Sequence, residues 1–395
     1  MRMRKVNSEV IKNKKVLLRV DFNVPLKEGQ VADGSRIKAH LETISFLRAN
    51  GAITALVSHL GRPKGKRDET YSLRPVAAYL KEVLSVDVEF VEDCVGQPVE
   101  RALCNAKAKD ILLLENCRFH PEEEKNDEDF AALLAAPFEV FVMDAFSVAH
   151  RAHASTQGIT KFLPSYAGFL VEKEVSILGS VRDNPVSPLV LILGGSKVTD
   201  KIGVIEHMSN KASTILVGGA MAFPFLAAKG YSVGKSKCDE ENVNSAKHIL
   251  KALEDKEVEI VLPVDVVVGA SVEAKESEGI VNVDAIPDHL MGLDIGPKTV
   301  EVFSEHLRSA KSIVWNGPLG LFETPAFSKG TKGIGNVVSS KAKEGAVVVI
   351  GGGDTAAAAK ALGFTDEVTH VSTGGGASLE FLEGKTLPGI EPLLE

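Results

Sequence analysis

Cysteine is scarce in this chain. Four occur in 395 residues, Cys94, Cys104, Cys117 and Cys238, and none sits in C-x-x-C spacing. That excludes a disulfide scaffold and a thiolate zinc site, and fits buried thiols in a reducing cytosol. No run approaches the ~20 apolar residues of a membrane span. The basic start Met1-Arg2-Met3-Arg4-Lys5 lacks the apolar stretch that would make it a signal peptide. Positive charge is not in excess: the formal net charge of −8 argues against a nucleic-acid partner and makes any local arginine cluster stand out. Low-complexity segments and short-period repeats are missing too. Two further absences are regional. After Arg182 the only arginine is Arg308, and before Gly194 no two glycines are adjacent.

The second half carries the glycine runs Gly194-Gly195, Gly218-Gly219, Gly351-Gly352-Gly353 and Gly374-Gly375-Gly376. Arginine grips phosphate or carboxylate with two parallel N–H groups. Glycine turns after strands let backbone N–H groups approach a nucleotide's phosphates. One half therefore suits a small, highly anionic molecule and the other a nucleotide; the alternative is compositional drift from arginine to lysine along the chain.

Length and a hydrophobic content of 44% allow two filled cores. Short β-branched runs alternate with amphipathic stretches. In the first half the runs are Val16–Phe22, Ile53–Ser58, Val86–Val91, Ile111–Leu114 and Val140–Phe146, with helices expected over Arg36–Arg48 and Leu73–Leu84. In the second they are Leu189–Leu193, Thr214–Val217, Glu259–Val268, Ser312–Trp315, Ala346–Ile350 and Val368–Ser372. This predicts an α/β protein of two Rossmann-like, doubly wound parallel-sheet domains with a cleft between them. Ligands in such sheets bind beyond the carboxyl ends of the strands. The expected division is 1–163, a hinge helix over 164–181 entered after Pro164, and 182–384. Residues 385–395, with Pro388 and Pro392, form either a loose tail or a strap returning to the first domain.

In the first half, Arg19, Asp21 and Asn23 share one face at the end of a strand. They suit a site floor, although Arg19 and Asp21 could also form an internal ion pair. Arg36 follows Ser35, a candidate N-cap, and a cation there opposes the helix dipole unless an anion is supplied. Ser58-His59-Leu60-Gly61-Arg62-Pro63, Glu115-Asn116-Cys117-Arg118 and Asp144 through His153, which includes Arg151, repeat a strand end followed by arginine. Four arginines so placed, Arg36, Arg62, Arg118 and Arg151, predict convergence on one anion. His150 and His153 have the spacing of a metal pair, but zinc needs further ligands and none is supplied.

In the second half, Gly194-Gly195-Ser196-Lys197 leads to Lys201, and the two lysines share a helix face if the helix has begun by Lys197. Gly352-Gly353-Asp354-Thr355 follows a strand; Asp354 and Thr355 can cap a helix over Ala356–Leu362, or Asp354 can hold Mg²⁺ bridging nucleotide phosphates. Trp315-Asn316-Gly317-Pro318-Leu319-Gly320-Leu321-Phe322-Glu323 is an apolar turn that suits an adenine slot, with Glu323 on the ribose or simply in solvent. Gly230–Ser236 has three residues between its glycines where a P-loop needs four, and Gly333-Ile334-Gly335 lacks the third glycine of a dinucleotide fingerprint. A Rossmann dehydrogenase is thereby disfavoured. A sugar-phosphate sensor would have no use for Lys201 and the Gly-Gly-Asp-Thr turn.

The segments VLLRVDFNVPL, SHLGRP, AHRAHAS, LGGSKVTDK, DIGPKT, VWNGPLGLFE and IGGGDTAAA, taken in order, resemble phosphoglycerate kinases over essentially the whole chain. The resemblance implies two Rossmann-like domains and Mg²⁺-dependent phosphoryl transfer between 1,3-bisphosphoglycerate and ADP, giving 3-phosphoglycerate and ATP. It implies that Asp21, Phe22, Asn23, Arg36, His59, Leu60, Gly61, Arg62, Arg118 and Arg151 contact the phosphoglycerate. It implies that Gly194, Gly195, Lys197, Lys201, Gly218, Gly292, Asn316, Glu323, Gly352, Gly353, Asp354 and Thr355 contact the nucleotide, with Asp354 on the metal. It favours the strap reading of the C-terminus and a cytoplasmic monomer. Arg36, Lys197 and Lys201 are the expected catalytic cations. Two departures stand out: Ser147 where the family usually has glycine, and Pro224 where it usually has threonine. Both are expected to affect local geometry only, away from the ligand-binding residues.

Overall fold

The computed structural model describes residues 2–395. Its chain divides into two compact units: one runs to Ser176 and is rejoined by Thr386–Glu395, and the other spans Ile177–Lys385. The first unit is built on a six-stranded sheet of β1 (Lys15–Arg19), β2 (Ile53–Val57), β3 (Val88–Val91), β4 (Ile111–Leu114), β5 (Val140–Met143) and β6 (Ser165–Ala167), in the order β3-β4-β2-β1-β5-β6. All pairings are parallel. These strands are short and almost wholly apolar because both faces are covered, as parallel sheets require. Val16, Leu18, Leu56, Ile111 and Val142 join one core with Val76, Ala77 and Leu80 of the helix Arg74–Leu84. Register pairs Arg19 with Val57 on one side and with Met143 on the other. The loops that follow β1, β2 and β5 therefore emerge side by side, at the point where strand order reverses.

The second unit repeats the plan with β7 (Leu189–Leu193), β8 (Ala212–Val217), β9 (Glu259–Val261), β13 (Ser312–Asn316), β14 (Val347–Gly351) and β15 (His370–Val371). Their order, β9-β8-β7-β13-β14-β15, reverses direction between β7 and β13, where Leu193 is in register with Asn316. Three antiparallel strands, β10 (Asp265–Gly269), β11 (Gly279–Asn282) and β12 (Met291–Ile295), form a separate sheet. The sequence pattern predicts a single strand over Glu259–Val268. Pro263, which has no N–H for a ladder, divides it between two sheets.

Other elements also differ from expectation. The helix expected over Arg36–Arg48 is two helices, Ser35–Ala39 and Leu41–Ala49, broken at His40. Ser35 is not its cap; the Ser35 amide instead donates to Asp33 Oδ1 at 2.9 Å. The hinge segment is not helical throughout: Ser165–Ala167 pairs with β5 as an edge strand, and the helix runs over Phe169–Asp183. A side chain at 168 would collide with the Asp144 carboxylate, only 2.2 Å from a Cβ built there, so Gly168 closes the strand before the helix starts. The two units divide inside this helix, after Ser176, so its first turns belong to the first unit. The C-terminal residues pack on the first unit: the Arg4 amide donates to Leu393 O at 2.8 Å and the Gly389 amide to Ala149 O at 2.8 Å.

Trp315, fully buried at the end of β13, reports on the second core, where it stacks on Phe364 at 5.6 Å. Leu191→Ala in β7, also fully buried, is expected to cost about 2–5 kcal/mol. The red shift of Trp315 fluorescence should move to clearly lower denaturant, and an unmoved midpoint would contradict this core.

Candidate active site

In the first unit, the residues after β1 cannot continue the sheet, and their polar groups are tied down one by one. The Asp21 amide donates to His40 Nε2 at 3.0 Å, and His40 Nδ1 lies 2.9 Å from Asp144 Oδ2. Because Nε2 accepts, Nδ1 carries the proton and donates to Asp144. Asp144 Oδ1 in turn accepts from the Leu170 amide at 2.9 Å, in the first turn of the helix Phe169–Asp183. The Asp21 side chain accepts from the Asn23 amide (3.0 Å), from Arg36 Nη1 (2.7 Å) and from the Ser147 hydroxyl. Burial opposes its charge, but the Arg36 guanidinium, the Ser147 hydroxyl and the Asn23 amide hold its carboxyl well below the usual carboxylate range. Asn23 Oδ1 accepts from the Gly61 amide at 2.9 Å, which couples the floor to the loop after β2.

Arg19, wholly buried, is not paired with Asp21. Its Nε donates to Ser155 Oγ at 2.9 Å, its Nη1 to Val20 O and its Nη2 to His59 Nδ1 at 3.3 Å. A guanidinium only donates, so His59 Nδ1 accepts and its Nε2–H is left to donate elsewhere. Burial first, and then the charges of Arg19, Arg118 and Arg151 against that of Asp21, drive the His59 imidazolium well below the usual histidine range. The same arginines and burial take His153 down to about 3. The guanidiniums around these rings would repel a metal cation, and among the described residues the only three-membered metal-like cluster is Asp93, Cys94 and His120.

Arg118 is buried after β4. Its Nη1 donates to Gly61 O at 3.0 Å and its Nε lies 3.2 Å from Glu124, yet neither Nε nor Nη2 has a hydrogen-bond partner. Arg151 bonds only to His150, at 3.3 Å, and Arg62 is exposed with no hydrogen bond or ion pair among the described residues. The structure thus brings Arg19, Arg118, Arg151 and His59 into one electrostatic cluster, with Arg36 joined through Asp21. Phe22 and Leu60, expected as contacts, are buried apolar residues whose backbone serves the loops: the Phe22 amide donates to Ser58 Oγ, and Leu60 O accepts from Asn116.

In the second unit, a cavity of ≈ 230 Å³ opens beyond β7, β13 and β14. Gly194, Gly195, Lys197, Lys201, Asn316, Gly352, Gly353, Asp354 and Thr355 line it. Glycine is needed where two loops touch backbone to backbone: a Cβ on Gly194 would lie 2.3 Å from Pro318 O, and one on Gly317 would lie 2.2 Å from Gly194. The Lys197 segment is pinned by the Val198 amide, which donates to Asn242 Oδ1 at 2.8 Å. Lys197 and Lys201 do not share an α-helical face, because the chain makes a 3-10 turn over Thr199–Lys201 and the α-helix begins at Ile202. Burial lowers the Lys201 ammonium from the usual lysine range although Asp200, Asp354 and Glu383 favour its charge. Asn316 Nδ2 is buried in this wall without a partner.

Several expectations need correction here. The helix after β14 starts at Gly353, so Asp354 and Thr355 lie in its first turn and do not cap it; Thr355 Oγ1 accepts from the Gly317 amide at 2.6 Å. Trp315, at the head of the turn expected to form an adenine slot, belongs to the core; its Nε1 donates to Gly317 O at 2.8 Å. Gly218, Gly292 and Glu323, expected on the nucleotide, are not among the residues that line this cavity, and their expected role stands as it was. Gly218 faces Leu319, Gly292 faces the Phe223 ring, and Glu323 is exposed. Pro224 sits in the first turn of the helix Ala222–Ala228, where its missing N–H has no intrahelical partner to lose. Ser147, expected to lie away from the ligand-binding residues, bonds directly to Asp21. Sequence reasoning also left out Gly375, Gly376 and Leu379 of the cavity wall; their signal was a glycine run directly after a strand.

Comparison with known proteins agrees with this geometry. The phosphoglycerate kinase family model matches residues 6–385. The chain is 51% identical over 385 residues to the phosphoglycerate kinase of Pelotomaculum thermopropionicum, covering 98% of this chain and 97% of that one. It is 50% identical over 381 residues to that of Thermosipho africanus, covering 96% and 95%. Among solved structures, phosphoglycerate kinase from Coxiella burnetii superposes with a TM-score of 0.88 at 39% identity, covering 97% of each chain. That from Pyrococcus horikoshii gives 0.84 at 33% identity, covering 99% and 98%. With two sheets of this topology, each ending in loops built for anions, and with similarity along nearly its whole length, the chain belongs to the phosphoglycerate kinase family.

Proposed function

We propose that the arginine-bearing loops of the first unit hold the phosphoglycerate, and that the glycine-walled cavity of the second holds the nucleotide. The reaction of the family is reversible phosphoryl transfer between 1,3-bisphosphoglycerate and ADP, giving 3-phosphoglycerate and ATP, and the chain is a phosphotransferase with a carboxyl group as acceptor. Arg118 carries the assignment of the first site: a buried guanidinium whose Nε has only an ion pair with the exposed Glu124 and whose Nη2 has no hydrogen-bond partner, among other arginines, is costly unless a further anion is bound. Arg62, Arg118 and Arg151 anchor the phosphate that is not transferred. The His59 Nε2–H adds a neutral donor.

The attacking atom, a carboxylate oxygen in one direction and a phosphate oxygen of ADP in the other, is already anionic. No general base is needed, and no covalent intermediate with the protein forms. One P–O bond forms as the other breaks, and the protein's task is positioning and neutralisation of charge. Arg36 faces the transferred group from the first site, and Lys201 from the second, with Lys197 beside it. The first-turn amides of the helix Gly353–Leu362 and the amide of Asn316 bind phosphate oxygens. Asp354, an exposed carboxylate in the same wall, would hold Mg²⁺, which takes one or two carboxylates, waters and phosphate oxygens. When bound, that ion offsets charge on the nucleotide phosphates.

Direct transfer requires the two ligands to meet, and we place the movement at the helix Phe169–Asp183, through which the chain passes from one unit to the other. Each site is built from a single chain, which supports a monomer. Four free thiols suit the reducing cytoplasm.

Arg36→Met is expected to lower kcat by about 10³-fold or more with little change in nucleotide affinity; normal turnover in steady-state assays would remove Arg36 from the transfer step. Asp354→Asn should abolish most activity and also erase the Mg²⁺ dependence of ADP binding measured calorimetrically, whereas wild-type Mg²⁺-dependent binding would contradict the metal role. Small-angle scattering should show a smaller radius of gyration with both ligands than with either alone. An identical radius in all states would rule out the proposed closure.

A further inference from the structure

Asp21 is attached twice to the segment that follows β5. Its backbone amide reaches Asp144 through His40, and its carboxylate accepts the Ser147 hydroxyl. The oxygen that takes this hydroxyl, Oδ2, is the one that takes Arg36 Nη1 at 2.7 Å. The three groups differ in how freely they can move. Asp21 is buried, and Ser147 sits in the short turn Phe146–Val148, whose following residue, Ala149, is held by the Gly389 amide at 2.8 Å. The Arg36 side chain is 44% exposed and is the partner able to swing away.

We propose that Ser147 is a positioning residue for phosphoryl transfer: by donating to the Asp21 oxygen that also holds Arg36, it limits how tightly that arginine is kept from the transferred group. The proposal rests on the assignment of Arg36 to the transfer step. A carboxylate oxygen already accepting a hydroxyl offers less charge to a second donor, so Arg36 is oriented by Asp21 yet can be drawn to a phosphoryl oxygen. Without the hydroxyl, Oδ2 is left to Arg36 alone, and the ion pair between them strengthens in a poorly solvated place. Arg36 is then held back, and turnover falls while nucleotide binding, built on the other unit, is untouched.

The test is a set of steady-state measurements on the full chain, with 3-phosphoglycerate, ATP and Mg²⁺. Ser147→Ala, and Ser147→Gly as a second variant that removes the same hydroxyl, are expected to lower kcat about tenfold, the scale of one hydrogen bond to a charged group, with nucleotide KM unchanged. Ser147→Thr, which keeps the hydroxyl, should recover most of the loss. In an Arg36→Met background, Ser147→Ala should have no further effect, because the arginine it acts through is gone. Wild-type kcat in both the alanine and glycine variants would overturn the proposal, as would a threonine variant as slow as alanine. Losses from Ser147→Ala and Arg36→Met that simply multiply would sink this inference alone. A fully active Arg36→Met enzyme would sink the assignment of Arg36 as well.

Discussion

Mutual repulsion among guanidiniums governs the first unit. Arg19, Arg118 and Arg151 lie close enough to depress the protonation of the same histidines, and two of the three are buried. Each is offset differently. Arg19 is held through Ser155, whose hydroxyl donates to the buried Glu123 at 2.5 Å, so its countercharge is one hydroxyl removed. Arg118 faces Glu124, and Arg36 faces Asp21. Among the described residues, neither Arg62 nor Arg151 has an ion pair with a carboxylate. The acids are enough to keep the unit folded and too few to satisfy the cluster, and that remainder is what a phosphorylated, carboxylate-bearing ligand can supply.

The second unit solves the opposite problem. Its cavity is walled largely by glycine backbone, and the contacts between Gly194 and the Gly317-Pro318 turn leave no room for a side chain there. The charged groups of the cavity wall are two lysines, Lys197 and Lys201, and two carboxylates, Asp200 and Asp354. Both units place these groups at the reversal of strand order, where adjacent loops leave the sheet in different directions.

Much of this was readable in the sequence because it follows from short-range pattern. Apolar runs of four to six residues announced the parallel strands, and arginine or glycine immediately after them announced the site. What escaped depends on distant partners. The helix break at His40 arises because its ring is needed between the Asp21 amide and Asp144, 104 residues away. Trp315 looks like a ligand platform in a glycine-proline turn, but its strand register carries it into the core against Phe364. Strand β10, which joins the antiparallel sheet, is hidden in a run with β9 that only Pro263 interrupts. A single hydroxyl such as that of Ser147 has no periodicity to reveal it; only the fold sets it against Asp21, 126 positions earlier.

The order of synthesis gives the C-terminal strap a further meaning. The first unit is translated before the second, yet its edge is closed by residues that follow the second in the chain: Arg4 pairs with Leu393, and Gly389 fastens Ala149, two positions beyond Ser147. The first unit therefore cannot complete its own edge until the chain of the second has been made, which ties the folding of one unit to the synthesis of the other.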